Sequence, residues 1–300
     1  MTSTPAPPLL HERVLDWYAE NARELPWRLP EATPWGVFVS EVMLQQTPVA
    51  RVEPVWREWL RRWPTPADLA AEPPGEAVRA WGRLGYPRRA LRLHAAATSM
   101  VTLHDGRVPA TEAELLELPG VGAYTAAAVA TFAFGERTTV VDTNVRRVLA
   151  RVATGREHAA PSPTRSELTL AAGLVPKGAA RARTWSVAVM ELGALVCTAR
   201  VPRCDACPAR DMCAWQLAGR PAHDGPPRRG QPWHGTDRQL RGVVLAAMRS
   251  SVEPVPREVL DALSDNATQR ERCLDSLVAD GLVEPTADGR FKLPGVREAG

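Results

Sequence analysis

Four of the chain's five cysteines crowd into one short stretch, as Cys197-x6-Cys204-x2-Cys207-x5-Cys213. A secreted disulfide scaffold would spread its cysteines through the chain. The opening MTSTPAPPLL has neither a cationic region nor an apolar run of the secretory kind. Clustering without an export signal points to metal in a reducing cytoplasm. Four thiolates in one compact loop suit a cluster in which each of four irons needs a cysteine sulfur. Structural zinc also accepts four cysteines. Its sites more often show two close-paired knuckles, and here only Cys204 and Cys207 are close-paired, so the spacing favours iron–sulfur. The basic segment TARVPR and Arg210 beside it either lie against phosphates or serve as counter-ions. Cys273, alone on a helix-like stretch, reads as a buried small hydrophobe.

No apolar run approaches the ~20 residues of a membrane-spanning helix. The net charge of +3 permits a polyanionic partner without demanding one. Lysine is confined to Lys177 and Lys292, so any mechanism with a lysine nucleophile has two candidates. From Leu10 to about Ala218, apolar residues recur every three to four positions, as in VARVEPVWREWLRRW and RRALRLHAAATSMV. Sustained β alternation is missing, which predicts an all-α body. In TEAELLELPG, Thr111 and Glu114 form a capping box and Pro119-Gly120 stops the helix. A Gly/Pro-rich linker over 221–237 leads to a small module over 238–295. Three short helices and a hairpin around Asp288-Gly289 give that module a winged-helix pattern. Such modules either bind nucleic acid or bridge protein surfaces.

Three motifs carry chemistry. Leu118-Pro119-Gly120-Val121-Gly122 stands between two helical stretches. Its glycines free the backbone, and its N–H groups with the next helix N-terminus form an anion site suited to a DNA phosphate. Glu41 is the only ionisable residue in PWGVFVSEVMLQQT. Burial there should raise its pKa and make it a general acid, the alternative being a Glu on an exposed helix face. Asp142, after TTVV and before NVRRVLARV, occupies an N-cap position where helical N–H groups should lower its pKa. A raised acid and a depressed one are the pair that glycosidic cleavage needs.

Together LPGVGAYTA, VVDTNVRRV and the cysteine loop closely resemble the helix–hairpin–helix DNA glycosylases that carry an iron–sulfur cluster. The resemblance spans roughly Leu10 to Ala218. It implies a core over 1–220 with a six-helix lobe (about 32–140) and an iron–sulfur lobe (1–31 and 141–220). It implies a 4Fe–4S cluster on Cys197, Cys204, Cys207 and Cys213. Endonuclease III-type members place a lysine in the hairpin's second helix, where Tyr124 stands here. That substitution, with Pro26-Trp27-Arg28 and PWGVFVSEVMLQQT, is similar to the adenine glycosylase branch, the MutY type.

By that resemblance Glu41 protonates adenine at N7, and Asp142 stabilises or traps the cationic sugar. Tyr124 and Asn144 position Asp142 and the attacking water. Gln46, Thr47 and Tyr86 meet the duplex near the lesion, and Leu118, Gly120, Val121, Gly122 and Thr125 meet its backbone. The implied partner is duplex DNA with adenine opposite 8-oxoguanine or guanine. The implied enzyme is a monofunctional, monomeric hydrolase of the cytoplasm, on the nucleoid when bound to DNA.

Two departures stand out. The adenine-pocket segment carries Ser186 and Val187 where many members have Asn followed by Gln or Glu. The residues after Arg238 are too few for a MutT-like domain and lack its Phe-Ser-His motif, so oxidised-base sensing falls to the wedge residues or the C-terminal module.

Overall fold

The computed structural model describes residues 7–223, 225 and 233–296. Part of the expected linker, 224 and 226–232, lies outside the described residues. The first helices are α1 (Pro7–Asn21), α2 (Pro34–Leu44), α3 (Val49–Arg62), α4 (Pro66–Ala70), α5 (Pro74–Trp81) and α6 (Arg88–Leu103). Then come α7 (Glu112–Leu116), α8 (Ala123–Phe134), α9 (Thr143–Thr154), α10 (Arg165–Gly173), α11 (Ala179–Leu195) and α12 (Ala214–Leu217). The C-terminal module holds α13 (Asp237–Ser250), α14 (Arg257–Asp261) and α15 (Ala267–Ala279), then the paired strands β1 (Glu284–Pro285) and β2 (Phe291–Lys292). The all-α expectation stands. Among the described residues no helix is long and apolar enough to cross a membrane.

Local chemistry sets these boundaries. The Thr111–Glu114 capping box forms in both directions, and Thr164–Glu167 repeats it at α10. The chain divides into two compact units. One holds Met1–Val37, Ala110–Leu116 and Gly122–Pro227, and the other Phe38–Pro109, Glu117–Val121 and Arg228–Gly300.

In the first unit, Val145, Val148, Leu149 and Val152 on α9 follow helical spacing. They bury against Trp185, Ala188, Val189 and Leu192 on α11 and against Leu10 and Val14 on α1. Cys197, Cys213, Ala209 and Trp215 belong to the same core. The cysteine loop is therefore packed on α9 and α11 rather than hung from them. Gly193 lets those helices close up, since a Cβ there would lie 2.7 Å from the Asn144 Cβ.

In the second unit, Trp59 stacks edge-on against Trp63 and Trp81, with centroids 4.7 and 5.8 Å apart. The C-terminal module packs on the same helices. The Gly75 N–H donates to Pro294 O at 2.7 Å, and Arg79 Nη1 donates to Arg249 O and Ser251 O at 2.5 and 2.7 Å. Arg88 reaches Asp280 at 3.1 Å. The expected three helices and hairpin are present, and Val255 adds a third strand position opposite Phe291. Cys273 is buried at 1% exposure.

Candidate active site and cysteine loop

Asp142 is the N-cap of α9. Its Oδ1 accepts the Val145 N–H at 2.7 Å and its Oδ2 accepts Asn144 Nδ2 at 2.7 Å. Arg147, one turn on, donates through Nη2 to Asn144 Oδ1 and Gly193 O, and through Nε to Cys197 O, each at 2.7 Å. A continuous run of hydrogen bonds thus joins the Asp142 carboxylate to the first cysteine of the loop. The sequence argument expected a depressed Asp142 pKa, and this is corrected. Burial pushes the pKa up, outweighing Val145, Asn144 and Arg147, which pull it down. A cap alone holds a carboxylate low only where water still reaches it.

Glu191 is fully buried in α11. Arg23 binds it through Nε at 2.5 Å and Nη2 at 2.9 Å, and Arg28 Nη2 at 3.0 Å. These guanidinium groups hold its carboxyl below the usual range although burial opposes them. Among the described residues Arg28 Nη1 is buried without an acceptor. Sequence reasoning passed over Glu191, a lone charge in the apolar run TWSVAVMELGALV, although the same signal singled out Glu41. Ser186 bonds its own helix at Ala182 O. Tyr124 sits in the first turn of α8, half-buried against Ala127, Ala128 and Val140.

In the second unit, Glu41 lies on α2 at 4% exposure, so it is buried rather than on an exposed helix face. The wedge candidates Gln46 and Tyr86 are exposed, and both are held at positive φ, 55° and 47°. For residues with a Cβ that conformation costs about 1–2 kcal/mol, so something must hold it. Arg89, 6% exposed, does so. Its Nη1 donates to Val42 O, Met43 O and Gln45 O at 2.9, 2.9 and 2.6 Å. Its Nη2 donates to Thr47 Oγ1 and Gly85 O at 2.9 and 3.1 Å. One buried guanidinium therefore ties the turn after α2 to the turn before α6, and burial pushes it down to about 10. Thr47 and Leu118 are buried here and Thr125 is buried in the first unit, so their side chains back a surface rather than form it. In the hairpin turn Gly120 and Gly122 are exposed and Val121 is partly so. Gly120, at φ 77°, rests on the Arg92 stem, where a Cβ would fall 2.7 Å from it.

The four cysteines line one pocket with Val148, Leu192, Val196 and Trp215. Among the described residues no three His, Cys, Asp or Glu side chains converge tightly enough for a single ion. Burial pushes the Cys207 thiol up to about 12 and raises Cys213, and the neighbouring sulfurs add to both. Thiols raised in this way become thiolates only with strong cationic compensation. Arg151, 1% exposed, supplies part of it. Its Nη1 lies 3.4 Å from Cys197 Sγ and donates to Thr198 O at 2.8 Å, with the guanidinium 4.8 Å over the Trp215 ring. Four sulfurs lining one pocket beside a buried guanidinium fit an anionic multi-iron cluster. Arg147 and Arg151 follow Asn144 at helical spacing, a signal the sequence carried but the motif search did not use.

Comparison with known proteins agrees with this geometry. The family model for the HhH-GPD superfamily base excision DNA repair protein matches residues 39–172. An adenine DNA glycosylase of Mycobacterium tuberculosis is 55% identical over 285 residues, covering 94% of this chain and 92% of the relative. One from Mycolicibacterium smegmatis is 54% identical, covering 96% of this chain and 97% of the relative. The Homo sapiens adenine DNA glycosylase is 38% identical, covering 82% of this chain and 50% of its own length. Among solved structures, a thermostable thymine-DNA glycosylase superposes with a TM-score of 0.62 at 26% identity, covering 71% of this chain and 97% of that one. An endonuclease III–DNA complex gives 0.58 at 23% identity, covering 71% and 98%, a likeness of fold alone. The chain belongs to the adenine DNA glycosylases, within the helix–hairpin–helix superfamily of base excision repair proteins.

Proposed function

We propose that this protein flips adenine out of duplex DNA where it faces 8-oxoguanine or guanine, and hydrolyses its N-glycosidic bond. The observation that carries the reading is the Asp142 carboxylate, held from two sides at the tip of α9. Ionised, it faces the sugar as positive charge develops, and Asn144 keeps one oxygen oriented. Glu41 donates a proton to adenine N7, so that the base leaves neutral. Tyr124 aids in placing the attacking water. The orphan donor at Arg28 Nη1, fixed by Glu191, suits a ring nitrogen of the extruded purine. Gln46 and Tyr86 enter the space left in the stack and offset part of the few kcal/mol lost on extrusion. The turn at Gly120–Gly122 grips a phosphate. Tyr124 takes the place of the hairpin-helix lysine that forms a Schiff base in endonuclease III-type enzymes, so the product is an abasic site on an unbroken strand.

The cysteines Cys197, Cys204, Cys207 and Cys213 would hold a 4Fe–4S cluster. Bound there, it supplies a covalent cross-link among four loop positions and a buried negative charge opposite Arg151. Domain limits follow the same reading, with the core over 1–220 and the winged-helix-like module over 238–295.

The test is base release from adenine paired with each normal base and with 8-oxoguanine, scored by alkaline cleavage. Wild type should release adenine opposite 8-oxoguanine and guanine and leave the strand uncut before alkali. Glu41→Gln and Asp142→Asn should each lose roughly 10² to 10⁴ of the rate while still binding the duplex. Normal turnover in either variant removes the assignment.

A further inference from the structure

The C-terminal module carries its arginines in two ways. Arg241 pairs with Asp280 at 2.5 Å, Arg270 with Asp261 at 2.9 Å, Arg272 with Asp237 at 2.7 Å and Arg290 with Asp288 at 2.6 Å, while Arg257 bridges Asp261 and Glu271. Both arginines of α15, the helix that a winged-helix protein would lay in a groove, are thus neutralised. Among the described residues two of the module's arginines meet no carboxylate, Arg238, whose guanidinium lies 4.8 Å over the Trp233 ring, and Arg249. Arg249 lies in the last turn of α13, half-buried, and the charge of Arg83, in the turn between α5 and α6, acts on it. Among the described residues no carboxylate pairs with Arg249, Arg83 or Arg51, whose Nη2 donates to the Arg83 carbonyl. Arg79, the neighbour that does have a carboxylate, Glu76, pins the Arg249 and Ser251 carbonyls and so fixes where the Arg249 side chain starts. Burial and the Arg83 charge both push the Arg249 guanidinium down. An arriving anion would relieve both costs.

We propose that Arg249 and Arg83, with Arg51 behind them, form a phosphate site through which the C-terminal module grips the duplex beside the Tyr86 wedge. Its place argues for DNA rather than a free anion, because Tyr86 follows Arg83 by three residues on the same exposed turn. A phosphate held there would seat the wedge without reading sequence. The module then meets DNA through the end of α13 and not through α15. This inference rests on the reading of the chain as a duplex-binding glycosylase.

The experiment measures affinity of the intact protein for a duplex with a tetrahydrofuran abasic-site analogue, across a salt series. Each phosphate contact contributes about 0.9 to the slope of log K against log salt. Arg249→Gln and Arg83→Gln should each flatten the slope by roughly one, and Arg249→Lys should restore most of it. Arg290→Gln, which removes a carboxylate-paired arginine, should leave it unchanged. Single-turnover base release by Arg290→Gln at saturating enzyme should match wild type. Without DNA, Arg249→Gln should melt no lower than wild type, since it relieves repulsion. Unchanged slopes in a wild type that binds and releases adenine overturn the phosphate site alone. A lower melting temperature for Arg249→Gln overturns it too, by making Arg249 structural. A wild type with no salt-dependent duplex binding overturns both this site and the glycosylase reading.

Discussion

Arginine is used in opposite ways around α9 and in the C-terminal module. Arg147 and Arg151 donate to carbonyls of the cysteine loop and to Cys197 Sγ, and neither meets a carboxylate among the described residues. In the module, five arginines meet carboxylates on or near the surface. A guanidinium bound to neutral acceptors orders its surroundings and keeps its charge for whatever arrives. One bound to a carboxylate is cancelled, and an exposed pair of that kind contributes only about 0–1 kcal/mol. Arg89 belongs with the first kind, and so it fixes the turns that carry Gln46 and Tyr86.

The comparison breaks most visibly at the buried arginines. Arg151→Met should orphan the Glu157, Thr198 and Ala199 carbonyls, cost at least about 3 kcal/mol and lower the iron content of purified protein. Arg89→Met should cost a similar amount, read by urea unfolding. If both unfold like wild type, carbonyl-bound arginines carry no special weight here.

Arg147→Ala tests the same idea through pH. In the proposed reaction Asp142 acts ionised, so its raised pKa would place the acid limb of kcat/KM above the ordinary Asp range near ~4. Removing the Arg147 charge should raise that pKa further, so the rate falls earlier as pH drops. The variant should lose roughly tenfold in acidic buffer and progressively less toward alkaline pH. A pH-independent loss would leave Arg147 with a packing role only.

The smallest effect belongs to Arg272→Ala, which should shift Tm at neutral pH by less than roughly 2 °C. Arg272 and Gln269 hold the Asp237 carboxyl down to about 2. Its stabilising share is therefore full above the unfolded value and disappears as pH falls toward 2. The variant should lose that acid dependence, and a large neutral-pH effect would erase the contrast drawn above.

Much of this was legible in sequence because it is local. The cap at Asp142, its tie to Asn144, the Thr111–Glu114 box and the cysteine spacing all act within a few residues, and the chain's order alone places them together. The apolar run around Glu41 announced its burial for the same reason. What needed the folded chain was contact at long separation. Arg89 finds four of its five acceptors more than forty positions away, Arg147 meets Cys197 and Gly193, and Glu191 meets Arg23 and Arg28. The direction of the Asp142 pKa also turned on packing. A cap can be read from the residues beside it, but the loss of water around it is decided by segments that arrive from elsewhere in the chain.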